Sequence, residues 1–273
     1  MEHTQYTTIP DAKYNTISSH PLLRFGGPDY ANPDVVYTPN GTEAIAAKSF
    51  SPFPLKKDGN RINDPVSDRF YSSIYDDKYL FIIAQSTGPD ACTASELAIL
   101  GFIDNMARYV SLLEFEILLE NLQTIFYFSI QNTISSTQDA ARRIQRSVAK
   151  SHDRIMSKEG INATTEILCG IFGMLDKEVD NKWAFVACGV GHCKAFIVSK
   201  DTASVVDVTK NNYLYKYDSP QGSIGPVQDN APKLDNMRLF CHFCNPGDIV
   251  ILTTQGVFKN FHPQHVCIVV YFS

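Results

Sequence analysis

The chain changes hydrophobic period along its length. Lys78-Tyr-Leu-Phe-Ile-Ile-Ala84 is a short unbroken apolar run behind the turn-like Tyr75-Asp76-Asp77, the pattern of a strand buried on both faces. From Thr93 to Tyr109 the period becomes helical, with Ala94, Leu97, Ala98, Gly101 and Phe102 on one face. Leu112, Phe115, Leu119, Leu122 and Phe126 recur at spacings of three and four and predict a second amphipathic helix, whose end is blurred by the β-rich Thr124–Ile130. Ser136, with Asp139 three residues on, reads as the N-cap of a third helix striped by Ala141, Ile144, Val148, His152 and Ile155.

From Thr164 onward the texture is that of strands. Ile167–Leu175, Trp183–Cys188, Lys194–Val198, Val205–Val208, Ile249–Thr254 and Val266–Phe272 are short apolar or alternating runs. Turn residues such as Asp180-Asn181, Ser199-Lys200-Asp201 and Pro246-Gly247-Asp248 divide them. Before the first strong strand, Met1 to about Leu23 reads as a tail or lead-in. Val35–Tyr37 is an edge-strand candidate, and Thr42–Phe50 is expected to open the first core strand. The organisation is a lead-in over residues 1–40 and one domain over 41–273. Helices grouped between two sets of strands predict a layered α+β domain with antiparallel sheets.

Composition narrows the function. At 273 residues and 30.5 kDa the chain buries roughly 75% of its unfolded surface and needs no disulfide or metal to fold. A hydrophobic share of 44% with 19% charged residues excludes intrinsic disorder. A net charge of −5 and a pI near 5.8 argue against nucleic acid as a partner. The greasiest stretch, Leu112–Ile130, is broken by Glu114, Glu116, Glu120 and Asn121, so no membrane span is expected. The start Met-Glu-His-Thr-Gln lacks the features of a signal peptide, and seven cysteines without framework spacing fit reduced thiols in the cytoplasm.

Generic catalytic motifs are missing. Gly189-Val-Gly191-His-Cys-Lys lacks the Lys-Ser/Thr end and following helix of a phosphate-cradling loop. Cys241-His-Phe-Cys244 has zinc-knuckle spacing, but without a matching second pair buried strand cysteines are the better reading.

Four segments, taken in order, carry a resemblance. They are Phe81-Ile-Ile-Ala-Gln85-Ser86-Thr87-Gly88 with Ala94-Ser-Glu-Leu-Ala98; Asn162-Ala-Thr-Thr-Glu-Ile-Leu-Cys-Gly170; Ala187-Cys-Gly-Val-Gly191-His192-Cys193-Lys194-Ala195; and Pro246-Gly-Asp-Ile-Val-Ile-Leu-Thr-Thr254-Gln255-Gly256-Val-Phe-Lys-Asn260. Their order and approximate spacing, from about Ile45 to Asn260, resemble the metal-dependent PP2C (PPM-type) serine/threonine phosphatases. The resemblance implies a four-layer αββα sandwich, two antiparallel sheets flanked by helices, here lacking some C-terminal elements. In active members two Mn²⁺ or Mg²⁺ ions at the cleft between the sheets hold a water that attacks a phosphoserine or phosphothreonine. Two such ions, about 3.5–4 Å apart, concentrate about +4 of charge, which only carboxylates both ligate and offset.

Against that pattern the acids are gone. The family's bridging Asp falls on Gln85 and the Gly after it on Ser86; the Asp of the second Asp-Gly falls on Gln255. The Asp of Gly-Asp-Ser-Arg falls on His192, and Thr87 stands where some members carry a general-acid His. Gln carries a carbonyl oxygen but no charge. Asp68 lies about where the family has its first metal-binding acid, and reads equally as a strand-end residue. Asp90 reads as a helix N-terminal charge. Val266–Phe272 reads either as the family's final strand reached by a shortcut, which would put Gln264 or His265 where another Asp is expected, or equally as a divergent end of a truncated chain.

The resemblance therefore implies a catalytically inactive, PP2C-like pseudophosphatase: a regulatory module that needs no cofactor and binds protein, a kinase or phosphoprotein. The rival is a weak phosphatase using Mn or Mg on a shifted set of Asp68, Asp90 and His192. A third reading is a structural domain with no dedicated ligand.

Overall fold

The computed structural model describes residues 9–14, 23–27, 36–37, 46–48, 57, 66–75, 77–110, 134–176, 182–210, 222–228 and 231–261. In chain order the strands are β1 (Leu23–Gly27), β2 (Val36–Tyr37), β3 (Ala47–Lys48), β4 (Arg69–Ile74), β5 (Lys78–Thr87), β6 (Thr164–Met174), β7 (Trp183–Val190), β8 (Lys194–Val198), β9 (Val205–Asp207), β10 (Ser223–Gln228), β11 (Ala231–Lys233), β12 (Arg238–Cys244) and β13 (Ile249–Thr253). The helices are α1 (Ala91–Val110), α2 (Thr137–Met156) and α3 (Gln255–Phe261).

A large antiparallel sheet forms around the apolar run of β5. Strands β1, β4, β5, β6, β7 and β12 pair in that order, while β10 joins the first residues of β6 through Ile224 opposite Thr165 and carries β11. A second antiparallel sheet has the order β13-β8-β9. Strand alternation divides the large sheet's side chains between two cores. On one face Leu80, Ile82, Ala84, Ile167, Cys169 and Ile171 meet Ala98, Phe102 and Met106 of α1 and Ala141, Ile144, Val148 and Ile155 of α2. On the other face Phe81, Leu168, Phe185 and Phe240 meet Ala195 and Ile197 of the small sheet, with Val250 and Leu252 beside them. The fold is thus the layered α+β arrangement expected. On the far side of the small sheet, the ring of Phe258 of α3 packs tilted against Phe196, with centroids 6.2 Å apart.

The local chemistry explains α2. The Ser136 side chain accepts a hydrogen bond from the Asp139 amide at 3.3 Å, and Asp139 pairs with Arg143 at 2.8 Å. Replacing Ser136 with Ala is expected to cost about 1 kcal/mol, read as a small downward shift in a denaturant midpoint. Buried polar contacts fix α2 against α1: Ser151 Oγ donates to the Ala98 carbonyl at 2.7 Å and Asn105 Nδ2 to Ser147 Oγ at 2.7 Å.

Several expectations change. Within Thr42–Phe50, the expected first core strand, the described β3 is only two residues long and pairs with β2 as a separate ribbon. Parts of the segment read as a lead-in join the fold: Ile9 and Tyr14 are buried in the helix-side core, Tyr14 bridges Leu175, and β1 extends the sheet at β4. Strand β4 escaped the hydrophobic pattern because two of its buried positions are serines; Ser72 Oγ satisfies itself on the Leu80 carbonyl at 2.8 Å. Cys241 and Cys244 lie on β12 and point to opposite faces, Cys244 into the inter-sheet core and Cys241 against the helix-side one, so the pair does not converge on an ion. The amphipathic helix over Leu112–Phe126, the strand Val266–Phe272, and Gln264 and His265 lie outside the described residues. Among the described residues no helix is long and apolar enough to cross a membrane.

Candidate functional site

The four segments that carry the resemblance meet at one end of the two sheets. Gln85 is near the end of β5, directly opposite Glu166 of β6. The side-chain nitrogen of Gln85 lies 3.8 Å from where a Cβ on Gly256 would sit, which brings β5 to the start of α3 and to its first residue, Gln255. Thr254, just before α3, donates through Oγ1 to Asp68 Oδ2 at 2.6 Å and so ties the small sheet to the entry of β4. The β7–β8 turn adds His192. Asp68, Gln85, His192 and Gln255 are therefore neighbours in space, drawn from positions far apart in the chain.

The chemistry of the cluster centres on Glu166, which the motif comparison passed over. Its Oε2 accepts the His192 backbone N–H at 2.9 Å, and its Oε1 lies 2.9 Å from His192 Nδ1, a contact that places the ring proton on Nδ1. His192 is 5% exposed. Gly191 holds the turn at φ 97°, and a Cβ there would lie 2.5 Å from the Glu166 side chain, so only glycine admits this approach. Asn236, fully buried, locks the same turn. Its Oδ1 accepts from the Gly191 and Gly222 amides at 3.0 and 3.1 Å, and its Nδ2 donates to the Gly191 carbonyl at 2.9 Å.

Burial pushes the Asp68 carboxyl above the ordinary carboxylate range and nearby Glu166 adds to this, while the Thr254 hydrogen bond and the Arg69 guanidinium oppose it. Arg69 is itself buried and donates to the backbone carbonyls of Val66 and Asp68, the latter at 2.8 Å. The carbonyl oxygen of Gln85 is buried and accepts no hydrogen bond. Ser86 turns away from this group into a hydroxyl network with Ser95 at 2.6 Å and Thr165 at 2.7 Å, bolting β5 to α1 and β6. Thr87 is exposed. Asp90 Oδ2 accepts the Asn162 amide at 2.9 Å and anchors the loop before β6.

Glu166 was detectable as an unpaired charge inside an otherwise apolar strand. Thr254 sat within a matched segment without an assigned role, and Asn236 resembled any turn residue. Among the described residues no group of three or more His, Cys, Asp or Glu side chains is arranged to hold a metal ion.

No family model matches the chain. It is 23% identical over 208 residues to a PP2C-like domain-containing protein of Drosophila melanogaster, which covers 74% of this chain and 27% of that protein. The chain thus spans about a quarter of the length of the curated relative it matches. Among solved structures, the serine/threonine phosphatase of S. agalactiae aligns with 74% of this chain and 78% of its own, at 15% identity and a TM-score of 0.46. The PPM Ser-Thr phosphatase of Mycobacterium smegmatis, solved with cacodylate, aligns with 87% and 80%, at 10% identity and a TM-score of 0.43. The likeness to a PP2C-like protein therefore extends over three quarters of the sequence.

Proposed function

We propose that this domain is a PP2C-like pseudophosphatase, a cytoplasmic signalling module that binds a protein partner, either a kinase or a phosphoprotein, without a competent two-metal centre. The observation that carries the reading is the state of the carboxylates in the cleft. Both oxygens of Glu166 are engaged by His192, and Asp68 accepts the Thr254 hydroxyl. The positions facing them, Gln85 and Gln255, are neutral amides.

A pair of divalent ions brings about +4 of charge into such a cleft. Hard cations of this kind take about six or more oxygen ligands each, with carboxylates to offset the charge. Among the described residues of the cleft, two acids and the amide oxygens of Gln85 and Gln255 are available, and the acids already have partners. An imidazole on Glu166 supplies from within the chain a donor where a metal would otherwise draw the carboxylate. These residues do not fit a two-metal centre. The apolar strands and the turn glycine Gly191, which shape the cleft, do not depend on metal.

Divalent-dependent hydrolysis of p-nitrophenyl phosphate tests the reading. With millimolar Mn²⁺ the purified domain is expected to turn over no faster than the blank, and calorimetry is expected to find no micromolar Mn²⁺ site. Mn²⁺-dependent turnover that Asp68→Ala abolishes would overturn it in favour of a working phosphatase.

A further inference from the structure

We infer that His152 is an acid-sensitive latch between α2 and β10, holding the strand while its ring is neutral and releasing it when the ring becomes an imidazolium. The helix stripe carries the first sign. His152 stands four residues after Val148 and three before Ile155, both buried, at a position where the pattern calls for an apolar side chain. It is half-buried, and its Nδ1 accepts the Gly225 backbone N–H at 3.1 Å. A backbone amide only donates, so this contact fixes the neutral ring with its proton on Nε2. Gly225 sits where the strand ladder is thin. The β10–β11 register shifts between Ser223 and Gln228, and among the described residues β10 meets β6 through the single pair Ile224 and Thr165. A Cβ on Gly225 would lie 2.8 Å from the Ala163 carbonyl oxygen and 3.5 Å from Ile155 Cγ2, so β10 passes close to the end of α2.

Acid removes the acceptor. In the imidazolium both ring nitrogens donate, so Nδ1–H would point at the Gly225 N–H, and no turn of the ring restores an acceptor. Burial disfavours the charged ring, and Asp153, the next residue on α2, opposes that effect while pairing with Lys150 at 2.9 Å. Of the elements packed on α2, β10 and β7 carry no charged residue. β6 carries Glu166, which His192 engages, and β12 carries Arg238 and His242. α1 carries Glu96, Asp104 and Arg108, with Asp104 3.9 Å from Arg154. The folded chain therefore binds the ring proton less readily than the unfolded chain does. The stability that the latch contributes is whole above the ordinary imidazole value of about 6.5 and is lost as pH falls through the lower folded value. None of this depends on the function proposed for the cleft.

Nuclear magnetic resonance of the isotope-labelled full chain, titrated between about pH 8 and 5, tests the latch. The Cε1 carbon of each histidine ring reports its protonation, and hydrogen exchange at the Gly225 amide is measured relative to the intrinsic rate at each pH. Protection of Gly225 is expected to fall at least about tenfold, with the midpoint of the His152 ring and not of His192 or His242. Ile171, in the interior of β6, is expected to keep its protection throughout. His152→Asn offers an acceptor oxygen in place of Nδ1 that does not titrate, and is expected to hold Gly225 equally at both ends of the range. Unchanged protection of Gly225 once the His152 ring is charged would overturn the inference. So would a loss that follows another histidine, an equal loss at Ile171, or the same loss in a folded His152→Asn variant. Should that variant not fold, the wild-type midpoints decide alone.

Discussion

Gly170→Ala is expected to unfold the domain, or to cost at least about 4 kcal/mol where folding survives. Gly170 lies in the middle of β6, the strand that pairs with β5 on one side and β7 on the other, opposite Phe81 and Ala187. A Cβ there would lie 2.3 Å from the Val186 carbonyl oxygen, 2.7 Å from Phe81 Cζ and 2.8 Å from the Ala187 Cα. Two of those atoms belong to the backbone of the neighbouring strand and cannot rotate away. The third is a ring stacked on Phe185 at 5.3 Å, and displacing it opens the inter-sheet core. Relief would require parting β6 from β7 at the centre of the sheet. Total stabilities of about 5–15 kcal/mol leave little margin for that. Gly160→Ala is the control: Gly160 has φ 78° with nothing within 4 Å of the added carbon, so it costs about 1–2 kcal/mol for the left-handed backbone alone. Urea melts of the two variants give the comparison; equal midpoints would refute the account of β6.

Asn236→Ala is expected to cost about 3–5 kcal/mol, the second largest effect of a single change. The side chain is fully buried and serves three backbone groups on two segments, the Gly191 amide and carbonyl and the Gly222 amide. Alanine leaves all three without this partner in a site that the fold keeps dry. Asn236→Asp separates the two halves of the interaction, since its carboxylate still accepts from both amides but no longer donates to the Gly191 carbonyl. The aspartate variant is therefore expected to fall between wild type and alanine. The loss should be felt at the cleft, because Gly191 precedes His192 and sets its approach to Glu166. Chemical-shift changes at the His192 ring in Asn236→Ala, without comparable changes at His152 on α2, would report that path. A fully stable Asn236→Ala variant would mean that the turn is held by other contacts.

The parts of the fold that periodicity reveals are those whose burial is apolar. β5, α1, α2, β6, β7, β8 and β13 were all visible in the sequence, because a buried run or a helical stripe is written directly in residue type. β4 was not, because its buried Ser72 and Ser73 carry no apolar signal: Ser72 bonds the Leu80 carbonyl of β5 and Ser73 the Tyr71 hydroxyl of its own strand. Residues 9–14 looked like a tail because one buried tyrosine and one isoleucine leave no period to detect. At the site, motif order placed Gln85, His192 and Gln255 in one neighbourhood and Asp68 close to them. It did not expose the pairing of Glu166 with His192, since the two are 26 residues apart, one on β6 and the other in the β7–β8 turn, and each looks unremarkable alone. Replaced residues are visible by comparison with a pattern; new partners become visible only in three dimensions.

The aromatic cluster at the other end of the large sheet has a practical consequence. Trp183 is the chain's sole tryptophan, and its ring lies 5.0 Å from Phe172 and 5.7 Å from Tyr79. Intrinsic emission excited at the indole band therefore observes a single place, the seam where β5, β6 and β7 run side by side. A melt followed by that emission records the opening of this seam, while circular dichroism in the far ultraviolet records the whole backbone. Coincident curves would show the sheets and helices parting as one cooperative unit, and separated curves would show the seam letting go on its own.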